Sequence, residues 1–117
     1  MIKDIPIEDL RSHAIEILTK TYMELNQNPT EDTIVGMSLS LAEDLQDDFK
    51  SLEIVDIRQA FRRGVRQTND FSIGPKTWYR WIKKYRDLLW DAEYQVRTQN
   101  IDPKLVPLYK QKQKLLK

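Results

Sequence analysis

Apolar residues recur at three- and four-residue intervals through most of the chain, the spacing of helices that each bury one face. Ile7, Leu10, Ala14, Ile17, Leu18, Thr21, Tyr22 and Leu25 predict a first helix from about Ile7 to Leu25. Pro6 suits its opening, Glu8 and Asp9 favour the positive end of its dipole, and Asn26–Pro29 closes it. Thr30 is a natural N-cap for a second helix that carries Glu31 and Asp32 in its first turn and a stripe of Ile34, Met37, Leu41, Ala42 and Leu45. The run Glu43, Asp44, Asp47 and Asp48 marks the solvated side of that helix. A third helix is expected from Leu52 to about Val65, capped by Ser51, with Ile54, Ile57, Phe61 and Val65 on its inner face and Gly64 as a packing or terminating position. Phe71 and Ile73 pin the following connection to the core, and Gly74-Pro75 opens a fourth helix that runs to about Val96.

The expected fold is therefore all-α, a bundle of about four helices over residues 1–100, followed by a basic C-terminal extension over residues 101–117. Pro103 and Pro107 break any long helix there, and Leu105, Leu108, Tyr109, Leu115 and Leu116 offer it a docking face. Trp78, Trp81 and Tyr85 are expected to meet Phe61, Tyr22 and Leu45 in an aromatic and aliphatic centre.

A chain of 117 residues with 40% hydrophobic and 32% charged positions suits one globular domain. The net charge of +1 hides a division: residues 1–56 hold four Lys/Arg against thirteen Asp/Glu, and residues 57–117 hold fifteen against five. Such asymmetry points to nucleic acid or another charged partner, or to attraction between the two halves of one fold. No apolar run has the length of a membrane span, and Met1–Leu10 has no signal-peptide core, so a cytoplasmic protein is expected.

The fourth helix carries two stripes. Trp78, Trp81, Ile82, Tyr85, Leu88, Leu89, Ala92 and Val96 form the inner one. Tyr79, Lys83, Arg86, Trp90, Tyr94 and Arg97 form a second, in which cations alternate with aromatic rings, a chemistry suited to phosphates and unpaired bases. The candidate nucleic-acid contacts are Arg62, Arg63, Arg66, Lys76, Tyr79, Arg80, Lys83, Lys84 and Arg86. The alternative is that Tyr79 and Trp90 cover the tail or a second subunit, with Lys and Arg stems over them. Asp44, Asp47, Asp48 and Trp90 are the candidate contacts to a protein partner or to another copy of the chain.

The catalytic inventory is thin. Without cysteine there is no thiol nucleophile or thiolate metal site, and with His13 as the single histidine no metal-ligand spacing exists. Gly36, Gly64 and Gly74 are isolated, so no phosphate-cradling glycine loop is present. The expectation is a non-enzymatic protein with no cofactor and no metal.

The segment Ser72-Ile-Gly-Pro-Lys-Thr-Trp-Tyr-Arg-Trp-Ile-Lys-Lys-Tyr85 resembles the recognition helix of a helix-turn-helix, with Lys76, Thr77, Tyr79, Arg80 and Lys83 at the groove-facing positions. The connection before it is longer than the usual three- or four-residue turn. In chain size, in its two acidic helices, and in the Ile54–Val65 helix leading to Thr77-Trp-Tyr-Arg-Trp-Ile, the chain also resembles small helicase-loader or replisome-organiser proteins of bacteriophages and mobile elements. That resemblance implies an adaptor touching a replicative helicase and DNA. The rival reading is an assembly module whose acidic and basic faces pair with each other or with a protein partner.

Overall fold

The computed structural model describes residues 1–67 and 73–98, and these form four α-helices preceded by a short 3-10 turn at Ile2–Asp4. Helix α1 spans Ile7–Glu24, α2 Glu31–Asp48, α3 Ile54–Gln67 and α4 Pro75–Thr98. No strand occurs among the described residues. The fold is the expected all-α bundle. Phe71 and the C-terminal extension from residue 101 lie outside the described residues.

Local chemistry sets most of the helix ends. Asn26 adopts φ 57°, and the Gln27 N–H donates to the Tyr22 carbonyl at 2.9 Å, a left-handed stop that ends α1. The Thr30 hydroxyl accepts the Thr33 N–H at 3.2 Å, which caps α2 as the sequence predicts. The start of α3 differs from expectation. Ser51 is not its cap; the Asp56 carboxylate reaches back to accept the Glu53 N–H at 2.9 Å, so the helix opens at Ile54 rather than Leu52. Leu52 is buried in the turn that precedes it. The Gly74 carbonyl accepts the N–H groups of Thr77 and Trp78 and starts α4, where Pro75 has no N–H to satisfy.

α1 packs along α2, and α3 along α4, around one core that includes Leu10, Leu18, Tyr22, Leu45, Phe61 and Trp78. Trp81 meets Phe61 edge to face at 5.7 Å between centroids. Three residues depart from the periodic reading. Leu88, expected inside, is 40% exposed and stands at the lip of a groove. Phe49, just past the acidic end of α2, is fully buried. Ile2 is also buried, held by its own N–H on the Leu52 carbonyl at 2.8 Å. Ile34 and Met37 are half-buried at the edge of the core, and the small Ser38 takes the inner position between them and Leu41.

Candidate nucleic-acid interface

Helices approach closely only where side chains allow it, and Gly64 is where α3 and α4 do so. A Cβ at this position would overlap the Trp81 indole, so the bare backbone is what lets Trp81 lie across α3. Trp81 and Tyr85 thereby become the wall of a groove of about 260 Å³ between the two helices. Arg63 from α3 and Arg80 and Lys84 from α4 stand around it, and no carboxylate is among its described lining residues. The Arg63 guanidinium lies 5.5 Å from the centre of the Tyr85 ring, a cation–π contact that fixes its direction.

Tyr85 is buried, and its hydroxyl has no hydrogen-bond partner among the described residues. Burial, helped by the Asp56 carboxylate and opposed by Arg63, pushes the phenol up to about 12, so the ring is neutral at physiological pH. The groove therefore combines three cations with a neutral aromatic wall. Trp81 is 6% exposed and Tyr85 2%, too little for either ring to stack on a base. Three cations over a neutral aromatic wall suit an anion better than a stacked base.

The structure separates the other candidate cations. Arg62 and Arg66 do not join Arg63. Consecutive residues on a helix point about 100° apart, and Arg62 and Arg66 turn toward α1. Arg62 lines a second groove of about 440 Å³ between α1 and α3. Arg66 donates to Glu24 at 3.2 Å and to the Arg62 carbonyl at 3.0 Å. Arg58 in the same groove donates to Glu16 at 3.3 Å and lies 3.4 Å from the ring Nδ1 of His13. Here the two oppositely charged halves of the sequence meet within one chain, through acids of α1.

Lys76 and Lys83 are exposed on α4 outside the groove. Tyr79, 38% exposed, packs on Phe49 at 5.2 Å between centroids. Arg86 is half-buried, its guanidinium 4.7 Å from the centre of the Trp90 ring and 5.6 Å from that of Phe49. It is thus a strut between two rings. Of the four candidate partner contacts, Asp47 and Asp48 are exposed and Trp90 is half-exposed. Asp44 departs from the solvated face: it is half-buried and accepts the Trp78 indole N–H at 2.8 Å.

Sequence periodicity placed Tyr85 and Leu88 in the core and left Gly64 open between packing and termination. Their part in the groove depends on how α3 crosses α4. The separation of Arg62 from Arg63, in contrast, follows from the 100° step and was readable. Among the described residues, no group of three or more His, Asp or Glu side chains is placed to hold a metal ion, and no helix is long and apolar enough to cross a membrane. No family model, curated protein or solved structure matches the chain. The functional reading therefore rests on the chain's own residues.

Proposed function

We propose that the protein is a non-enzymatic nucleic-acid-binding protein of the cytoplasm that grips the sugar–phosphate backbone at the α3–α4 groove. The observation that carries this reading is the convergence of Arg63, Arg80 and Lys84 on one slot whose described lining residues include no carboxylate. Phosphate contacts of this kind give affinity and orientation without sequence selectivity. Lys76 and Lys83, exposed along the same helix, extend the positive surface toward the start of α4. The helix-turn-helix resemblance agrees with α4 as the approaching helix, and a replication-accessory role of the helicase-loader kind is the setting that the second resemblance suggests.

Fluorescence anisotropy at low salt with labelled duplex DNA, single-stranded DNA and RNA tests the reading. Micromolar or tighter binding that weakens as salt rises is expected for at least one of them. Absence of binding to all three removes it.

A basic protein partner at Asp47 and Asp48 is the second reading. What favours it is that Arg58 and Arg66 find their acids on α1, leaving the exposed end of α2 outside those ion pairs. Charge reversal at Asp47 and Asp48 that leaves the thermal melt unchanged but abolishes a pulled-down complex would favour it over the first.

A further inference from the structure

The outer seam of α1 and α2, on the side of the bundle away from the groove, carries large apolar side chains that the described chain does not cover. Ile15 is 40% exposed, Leu39 40%, Val35 48% and Met23 74%. The two helices pack together across the Leu25–Thr30 connection, and counting back equally from it puts Ile15 level with Leu39 and Ser40, and Met23 level with Asp32. At about 100° per residue, Val35 and Leu39 fall on the flank of α2 opposite Asp44, which faces α4. Ile15 falls on the flank of α1 opposite Glu16, Lys20 and Glu24, which face α3. These side chains therefore border one strip. Gly36 lies between Val35 and Leu39, and a Cβ there would meet nothing within 4 Å, so the described chain makes no use of the room it leaves. Asp32 and Glu43 stand at the two ends of the strip, exposed, and their carboxylates make no ion pair or hydrogen bond among the described residues.

An apolar strip between unpaired acids turns phosphate away, and a second copy of the same face would set acid against acid. It suits an apolar segment that carries lysines. Residues 103–117 of the same chain have that chemistry: five lysines and no acid, interleaved with Leu105, Leu108, Tyr109, Leu115 and Leu116. We infer that this segment docks on the α1–α2 strip of its own chain, with its leucines over Ile15, Val35 and Leu39 and its lysines toward Asp32 and Glu43. Reach does not forbid it. From Thr98 an extended chain places residue 113 up to about 50 Å away, against about 36 Å for the whole of α4. The inference goes beyond the nucleic-acid reading and stands without it, because docking needs no ligand.

Because the chain has no cysteine, two introduced thiols report the contact in the full chain. Thr19→Cys lies on the strip between Ile15 and Met23, Gln113→Cys lies in the segment, and both leave every leucine, lysine and acid named above in place. In dilute protein this pair is expected to close an intramolecular disulfide about ten times faster than Ser51→Cys with Gln113→Cys, through its higher effective concentration. Ser51 is exposed beyond the acidic end of α2 and off the strip, so it controls for charge alone. Leu115→Ser with Leu116→Ser is expected to remove the difference although all five lysines remain. Methyl NMR spectra of the chain without thiols give a second reading. The same two serines are expected to shift the signals of Ile15, Val35 and Leu39 and to spare Leu88 on α4. Equal closure rates at residues 19 and 51 overturn the inference. So do rates that the serines leave unchanged, disulfides formed between chains, or spectra in which Leu88 moves and the strip does not.

Discussion

The Trp81 indole occupies the space that a side chain at Gly64 would fill. This single approach holds α3 and α4 at the distance that creates the groove. A glycine inside an exposed helix normally costs about 1 kcal/mol relative to alanine, so Gly64→Ala would ordinarily stabilise. Here the added methyl displaces a ring that is 6% exposed and packed edge to face on Phe61, and overpacking of this kind costs about 1–3 kcal/mol. Gly64→Ala is expected to lower the urea midpoint. The same substitution in a Trp81→Phe background is expected to cost less, a coupling that a double-mutant cycle reads directly. Trp81→Ala alone is expected to cost about 3–5 kcal/mol.

Asp44 and Trp78 make the corresponding link between α2 and α4. Trp78 is fully buried, and its N–H has the Asp44 carboxylate as acceptor. Asp44→Ala leaves that donor without its acceptor and is expected to cost about 1–3 kcal/mol. Asp44→Asn, which keeps an acceptor oxygen, is expected to cost less. Asp47→Ala and Asp48→Ala, on the exposed side, are expected to stay within about 0.5 kcal/mol of the parent in the same denaturant melts.

These two contacts mark the limit of what periodicity reveals. The four helices were legible because each carries a long apolar stripe, and because Thr30, Asn26 and Pro75 stand where helices begin and end. The inner positions of Trp78, Trp81 and Ile82 followed from the same rule. Phe49 was hidden because one aromatic ring after Asp47 and Asp48 has no period of its own, and its burial is set by Tyr79 and Arg86 from α4. Ser51 and Asp56 were both chemically able to open α3, and only the backbone path chooses the acid. The candidate cations were legible as a set but not in their grouping, since that depends on which neighbour each face of α3 meets.

Tyr85 gives a pH prediction. Its phenol is raised from 10.0 to about 12 in the folded chain, chiefly by burial. Between those values the unfolded chain loses this proton more readily than the folded one, so stability falls as pH rises from about 10 toward 12. Below pH 10 both states hold the proton and the contribution is fully present. Tyr85→Phe removes this part of the alkaline loss, and its hydroxyl leaves behind no hydrogen bond among the described residues. The variant is expected to match or exceed the parent in stability at neutral pH and to lose less between pH 10 and 12. Thermal melts of both proteins across that range, compared as a difference, isolate the effect from other titrating groups.

Whether Arg63, Arg80 and Lys84 together hold a nucleic-acid backbone is tested most directly by the salt dependence of binding. On duplex DNA each neutralised phosphate contributes about 0.9 to the slope of log affinity against log salt, so replacing all three cations with alanine is expected to flatten that slope by roughly 2–3. Replacing Arg58 and Arg66, which are paired with Glu16 and Glu24, is the matched control and is expected to change it by less. A triple variant that keeps the parent's slope and affinity, with its helicity intact, would show that these three cations do not hold the backbone.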